Sequence, residues 1–279
     1  MAITAQEVNH LRQITGAGMM DCKKALAEAE GDFDKAIEIL RKKGQKVSAN
    51  RADREAKEGA IFIQPSADES EAVLIELNCE TDFVARNEDF QKLGALIASA
   101  AEAHKPADLD ALKALVVNGQ SISDMLTDHV GKIGEKIDVS KYERIGGEKI
   151  VTYIHPGARV GVAVAFVQTG GKDVSAIGRD VAMQIAAMNP IGLDKDDVSA
   201  DVVTKEIEIG MEQARNEGKP EKMLEQIARG KLSKFFKENT LLNQDFVKDT
   251  SKTVGQYVAD NLGKEVKITA FKRLQLGAS

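Results

Sequence analysis

The sequence predicts an α+β fold with a small N-terminal three-helix module, two related α+β core subdomains with antiparallel sheets, and an inserted helical hairpin that forms a coiled coil. Apolar residues recur at helical spacing in residues 1–45, which predicts the helical module. A pattern of strand, turn, strand, polar connector and helix then occurs twice, which predicts two related subdomains. A narrow apolar seam with charged flanks in residues 191–238 predicts the hairpin. The length of 279 residues agrees with about two domains as a prior.

The N-terminal module begins with a predicted capping box, because Thr4 and Glu7 have the spacing at which each side chain bonds the other's backbone. Val8, Leu11 and Ile14 follow at helical spacing. Three glycines are predicted to end the three helices, and they are Gly16, Gly31 and Gly44. About 45 residues make only a thin core, so we expect the module to serve mainly for recognition.

The segment after the module, residues 46–59, is highly charged and lacks a strong apolar stripe. We interpret it as a linker that is at most partly helical. Such a linker would allow the module to dock a partner separately from the core.

Each core subdomain is predicted to contain a two-stranded hairpin followed by an amphipathic helix. The predicted strands are residues 60–63 and 72–77, then 148–154 and 160–167, and the predicted helices are residues 90–103 and 177–188. A later helix at residues 254–262 leads into an alternating strand at residues 266–271, which most simply rejoins the second sheet. This return makes the hairpin at residues 191–238 an insertion. The predicted bounds are residues 60–145 for the first subdomain, and residues 146–190 with 239–279 for the second.

Composition argues against several classes of partner. The net charge is −6, whereas a general binder of phosphate backbones carries a basic face. Aromatic residues are 4% of the chain and Trp is absent, so a stacking platform for single-stranded nucleic acid is poorly supplied. Cys22 and Cys79 make neither a disulfide framework nor a zinc cluster, and they fit a reducing cytoplasmic compartment. We expect no signal peptide, no membrane span and no nucleic-acid partner.

Motifs of catalysis are not found. The sequence has no G-x-x-x-x-G-K-[ST], H-E-x-x-H, G-x-S-x-G or C-x-x-C. Gly16 and Gly18 imitate half of a dinucleotide-binding loop, but they follow a predicted helix rather than a strand. The four His residues are scattered and are most simply solvated. No catalytic residue and no metal ligand is therefore predicted.

Two features leave alternatives open. Met19 and Met20 could both belong to the core, but neighbouring residues on a helix cannot point the same way, and an exposed Met suits a binding surface. Phe83 lies in a polar connector next to Asp82. Its ring could tuck under its own sheet, or it could be a wedge presented to a partner's pocket beside a carboxylate.

Two long segments resemble signatures of the bacterial elongation factor Ts family. Residues 11–26 (LRQITGAGMMDCKKAL) are similar to the N-terminal signature, and residues 76–86 (ELNCETDFVAR) are similar to the second. Three shorter segments look like family segments in the expected order, and they are residues 132–135 (KIGE), 155–162 (HPGARVGV) and 251–256 (SKTVGQ). The resemblance covers essentially the whole chain. It implies a UBA-like N-terminal module, a two-part core and a coiled-coil insertion.

The resemblance also implies a function, which is guanine-nucleotide exchange on elongation factor Tu during translation. Such a protein binds that GTPase with GDP, ejects the nucleotide and leaves when GTP binds. It is not an enzyme, needs no cofactor and does not bind nucleotide itself. By resemblance, Asp82 and Phe83 intrude near the partner's nucleotide and magnesium site. The other implied contact residues are Arg12, Met19, Met20, Lys23, Thr81, Val84, Ile133, Gly134, His155 and Val254.

Two rival classes are kept beside this interpretation. A nucleotide-binding enzyme would show direct affinity of the isolated chain for nucleotide. A purely structural coiled-coil protein would use the hairpin for assembly, and Asp82 and Phe83 would be dispensable. In the exchange-factor interpretation as well, the hairpin could mediate self-association or a second contact.

Overall fold

The computed structural model describes residues 3–278, in which helices and antiparallel sheets form a four-layered core with a helical module at one end. The module consists of α1 (Ala5–Thr15), α2 (Met19–Glu28) and α3 (Phe33–Arg51). The capping box of Thr4 and Glu7 is present, and Gly16 ends α1 in the left-handed conformation at φ 65°. The small core of the module is built from apolar side chains of all three helices, and they are Val8, Leu11, Cys22, Ala25, Leu26, Ala29 and Ala36.

The prediction that Gly44 ends the third helix is wrong. The helix α3 continues through Gly44 to Arg51, so residues 46–51 of the segment interpreted as a linker are helical. Gly44 is buried because it packs directly against a later helix. The non-helical connection to the first strand is therefore only residues 52–57.

The first subdomain contains β1 (Glu58–Pro65), β2 (Glu71–Cys79), α4 (Asp82–Ala85), α5 (Glu88–His104), α6 (Leu109–Ala114), β3 (Val116–Val117), β4 (Gln120–Ser121), α7 (Ile122–Ile133) and β5 (Ile137–Gly146). Its sheet has the order β1-β2-β5, and β2 pairs antiparallel with both neighbours. The predicted hairpin and helix agree with β1, β2 and α5. The helix α7 and the third strand β5 were not predicted, although residues 137–140 (IDVS) alternate apolar and polar as a strand does.

The second subdomain contains β6 (Lys149–Ile154), β7 (Val160–Val167), α8 (Ser175–Met188), α9 (Ala200–Asn216), α10 (Leu224–Asn239), β8 (Asp245–Phe246), β9 (Asp249–Thr253), α11 (Val254–Leu262) and β10 (Lys267–Gln275). Its sheet has the order β10-β7-β6. The terminal strand β10 rejoins the second sheet, as predicted, and pairs antiparallel with β7, so the hairpin of α9 and α10 lies between two parts of one subdomain.

The two subdomains repeat the same order of two strands, helices and a returning strand, and their sheets face each other. The interface between the sheets contains residues such as Ile61, Leu74, Ile150 and Ala163. Gly161 permits the close approach, because a Cβ atom there would lie 2.5 Å from Ile61 Cγ2. The outer face of the first sheet packs on α5 and α7, and that of the second on α8 and α11. This arrangement leaves the turns at the strand ends free to carry exposed residues.

Candidate functional site

Phe83 lies on the one-turn helix α4, directly after the central strand of the first sheet. Thr81 caps this turn, and its hydroxyl accepts a hydrogen bond from the Val84 N–H at 3.4 Å. The Phe83 side chain is 82% exposed, more than any other large apolar side chain among residues 3–278. The ring is therefore not tucked under its own sheet.

The turn that carries Phe83 is anchored on both sides. The Thr81 N–H donates to Glu135 Oε2 at 3.0 Å, and the Thr81 hydroxyl donates to Glu135 Oε1 at 2.7 Å. Val84 packs half-buried on the first core. The Cys79 thiol donates to the Thr81 carbonyl at 3.1 Å. Burial, together with the nearby Glu135 charge, raises the pKa of Cys79 to about 12, so this thiol stays protonated and keeps its donor.

Asp82 presents a carboxylate beside the exposed ring. Its side chain is about half exposed and forms an ion pair with Arg86 at 2.8 Å, one helical turn along. Arg86 is itself exposed. Exposed ion pairs of this kind contribute little free energy, about 0–1 kcal/mol. The carboxylate can therefore leave Arg86 for another group at small cost.

Three further exposed apolar side chains lie on the module, namely Ile14 near the end of α1 and Met19 and Met20 at the start of α2, and we call them together the module patch. Their exposures are 55%, 49% and 64%. Both Met residues are thus exposed, and the cations of Arg12 and Lys23 beside them are exposed as well.

Sequence reasoning missed Ile14 as a surface residue. Each step of three residues along a helix rotates a side chain by about 60° relative to the previous one. Val8 and Leu11 are buried, but the next step carries Ile14 off the core face. The spacing of three residues between Val8, Leu11 and Ile14 therefore already indicated that Ile14 lies away from the core face.

The remaining predicted contacts differ in accessibility. Ile133 is half-buried at the end of α7, and Gly134 ends that helix in the left-handed conformation at φ 84°. His155 is exposed, and its Nδ1 lies 2.9 Å from the Tyr153 hydroxyl. Val254 is fully buried in the second core, because the first residue of α11 points inward. Its side chain offers no surface to a partner, so the prediction of Val254 as a contact is corrected.

Two clefts adjoin some of these residues. The first, of about 420 Å³, lies between the module and α7 and is lined by Ile14, Lys43, Met125 and Lys132 among others. The second, of about 540 Å³, lies between α4 and the β6–β7 turn and is lined by residues that include Asp82, Arg86, Gly157 and Arg159. The module thus contributes Ile14 to the first cleft, whereas the Phe83 turn contributes Asp82 to the second, opposite Gly157 and Arg159 from the turn that follows His155.

The chemistry offered by this surface is that of binding. Across residues 3–278, no group of three or more His, Cys, Asp or Glu side chains is arranged to hold a metal ion. No helix in the same span is long and apolar enough to cross a membrane. The surface presents an aromatic ring, an accessible carboxylate and a patch of flexible apolar side chains, which are typical components of protein interfaces.

Comparison with known proteins gives matches over the whole chain. The family model for Elongation factor TS matches residues 80–278. A protein named elongation factor Ts from Amoebophilus asiaticus is 52% identical over 100% of both chains. A protein of the same name from Cytophaga hutchinsonii is 54% identical over 98% of this chain and 99% of its own. Another from Porphyromonas gingivalis is 45% identical over 100% of both chains.

Proposed function

Because this chain belongs to the elongation factor Ts family, we propose that it is a guanine-nucleotide exchange factor for elongation factor Tu in translation elongation. The observation that supports a role for Asp82 and Phe83 is the exposure of the Phe83 ring on a turn that is anchored through Thr81 and Glu135. A large apolar ring that is exposed on an anchored turn is available to a partner's pocket, where its burial would remove apolar surface from water.

The physical basis of exchange is reciprocal coupling. If this protein lowers the partner's affinity for nucleotide by a certain factor, bound nucleotide lowers the partner's affinity for this protein by the same factor. Tightly held GDP leaves slowly, because high affinity is expressed mostly in the dissociation rate. A protein that favours the nucleotide-free geometry of the partner therefore opens a faster route for release.

We assign the two residues of the turn different parts in this process. Phe83 would fill an apolar pocket of the partner near its nucleotide site, and burial of a Phe side chain is worth about 1.5–3 kcal/mol. Asp82 would bring a carboxylate toward groups that hold the nucleotide and magnesium. A negative charge there competes with the phosphates for the same hydrogen-bond donors and cations.

The other candidate contact residues would enlarge the interface. The module patch with Arg12 and Lys23 would form a separate contact, and Ile133, Gly134 and His155 would lie near the Phe83 turn. In this proposal the protein acts in the cytoplasm without cofactor, and its partner is a protein rather than nucleic acid or membrane.

The test is the release of fluorescently labelled GDP from elongation factor Tu, with and without substoichiometric amounts of this chain. We expect faster release with turnover, since one molecule acts on many partners. A chain with Asp82→Ala and Phe83→Ala together should lose most of the acceleration. Met223→Ala, which truncates an exposed apolar side chain on the hairpin, serves as the matched control.

The rival functions give different results. A coiled-coil scaffold would not accelerate release, and the double variant would behave as the wild type. A nucleotide-binding enzyme would compete for the labelled GDP itself, which a titration of this chain with GDP alone detects.

A further inference from the structure

The module is fixed to the core by a helix crossing at which two glycines meet. The helices α3 and α7 cross at Gly44 and Gly131. A Cβ atom placed on Gly131 would lie 2.5 Å from the Gly44 Cα, which no real Cβ tolerates. A Cβ atom placed on Gly44 would lie 3.6 Å from the Gly131 Cα and 3.7 Å from the Thr127 carbonyl, which is ordinary contact. The two positions at the crossing therefore differ in the room they leave for a side chain, and only position 131 requires glycine.

A charged cluster ties the end of α3 to the core near the Phe83 turn. Glu80 accepts hydrogen bonds from Arg51 at 2.9 and 3.0 Å, from Arg54 at 3.3 Å and from the Lys136 N–H at 2.7 Å. The Glu80 side chain is only 14% exposed. This residue lies three positions before Phe83, so the cluster links the module directly to the segment that presents the ring.

A third contact lies on the other side of the crossing. The Lys132 side chain reaches over Gly16, where a Cβ atom would lie 2.6 Å from Lys132 Nζ. The same ammonium forms an ion pair with Asp89 at the start of α5. Gly16 ends the helix that carries Ile14, so Lys132 on α7 joins the end of α1 to the start of α5.

We propose that Gly131 is a positioning residue. By bringing α3 and α7 into backbone contact, it sets the distance between the module patch and Phe83, so that both engage one partner molecule at the same time. This inference rests on the proposed function. Two contacts held on one rigid body lose less entropy on binding than two contacts joined by a flexible linker.

The experiment compares Gly131→Ala with Gly44→Ala. Both replace a helical glycine at the same crossing and gain similar helix propensity, about 1 kcal/mol. Only Gly131→Ala must push the helices apart. Spin labels on Ala27→Cys in α2 and Ser99→Cys in α5, both exposed positions, report the distance between module and core. The native Cys22 and Cys79 are buried and remain unlabelled.

We expect a narrow distance distribution in the wild type and in Gly44→Ala, and a shifted or broader one in Gly131→Ala. Affinity for elongation factor Tu with GDP should fall about 10-fold in Gly131→Ala, the loss expected when one good interface contact is removed. Met20→Ala should weaken binding in the wild type but add little in the Gly131→Ala background, because misplaced contacts are no longer additive.

Several results would overturn the inference. An unchanged distance in Gly131→Ala would contradict the crossing as the determinant of position. A changed distance with unchanged affinity would contradict its role in binding while leaving the proposed function intact. If the wild type neither binds nor accelerates release, the proposed function itself fails, and the distances still report on the crossing separately.

A second variant covers the case in which Gly131→Ala does not fold. Glu80→Gln removes the charge that holds Arg51 and Arg54 without adding volume. It leaves the Gly44–Gly131 crossing intact, so the distance distribution should stay narrow at the wild-type distance. A shifted or broadened distribution would contradict the crossing as the determinant of the module's position.

Discussion

At the scale of single residues, the segment from the end of β2 to α4 combines side chains that hold the chain in place with one that is free to contact a partner. Cys79, Glu80 and Thr81 are held by hydrogen bonds to the chain around them, whereas Phe83 makes almost no contact with its own protein. A side chain that contributes little to folding can be changed without unfolding the protein. Stability and partner binding can therefore be measured separately at Phe83.

Phe83→Ala should weaken the binding of elongation factor Tu about 10-fold to 100-fold, as expected when a central aromatic anchor worth about 2 kcal/mol or more is lost. The melting temperature should barely change, because exposed substitutions usually alter the free energy of unfolding by less than about 0.5 kcal/mol. Thermal melting and GDP release, each measured beside Met223→Ala, check the two parts. A loss of about 3–5 kcal/mol in stability with normal exchange per folded molecule would identify Phe83 as a core residue instead.

Glu80 gives a prediction about pH. Burial by itself would raise the pKa of this carboxyl, but the hydrogen bond from the Lys136 N–H and the bonds and charges of Arg51 and Arg54 outweigh it, and the pKa is lowered from 4.5. A lowered pKa in the folded state means that Glu80 stabilises the protein above about pH 4.5 and that this contribution is lost as the pH falls through the lowered value.

Glu80→Gln should therefore reduce the free energy of unfolding near pH 7 by roughly 1 kcal/mol or more, the range of hydrogen bonds to charged groups. The difference from the wild type should shrink as the pH falls from about 5 to 3. Denaturant unfolding of both proteins at several pH values measures this difference in the free energy of unfolding. Glu225→Gln, which removes an exposed partner of Arg229, is the control and should cost little at any pH. A difference for Glu80→Gln that stays constant with pH would contradict the assignment.

At the scale of secondary-structure elements, the hairpin of α9 and α10 is the most self-contained part of the fold. Its arms pack on each other at Gly210 and Ala228, where a Cβ atom on Gly210 would lie 3.1 Å from the Ala228 Cα. Its base is closed by hydrogen bonds, such as the Ile191 N–H to the Asn239 carbonyl at 2.9 Å and the Leu241 N–H to the Gly192 carbonyl at 3.0 Å. The two ends of the insertion are thus close together.

Replacing residues 195–238 by a short flexible linker should leave the core folded with a cooperative melting transition, since the base remains paired and loop closure depends only weakly on length. Circular dichroism during heating tests this, and light scattering of both chains tests whether the hairpin mediates self-association. Loss of cooperative unfolding in the shortened chain would show that the hairpin is an integral part of the core.

At the scale of the whole molecule, the charge and the architecture both disfavour direct nucleotide binding. The chain carries a net charge of −6, and no sequence motif supplies a phosphate-cradling loop. We expect calorimetry to detect no appreciable heat of binding when GDP or GTP is titrated into the isolated protein, while elongation factor Tu under the same conditions binds both. Micromolar affinity of the isolated chain would contradict the exchange-factor proposal and favour the nucleotide-binding alternative.

The sequence predicted much of the fold because many of its signals are local. Capping residues at Thr4 and Glu7, apolar periodicity in α5 and α8, and alternation in β10 each act over a few residues. The return of the terminal strand to the second sheet was also predicted from its alternating pattern, whereas its pairing with β7 was not. The candidate contact residues came from segments that resemble a family.

The tertiary structure decided what depends on residues far apart in the chain. That Gly44 continues a helix instead of ending it follows from its contact with Gly131, and that Val254 is buried follows from the packing of α11 on the second core. The exposure of Ile14, Met19, Met20 and Phe83 likewise depends on which neighbours cover them. Local sequence specifies helices, strands and caps because their hydrogen bonds join near neighbours, whereas burial and helix crossings are set by long-range packing that no local pattern records.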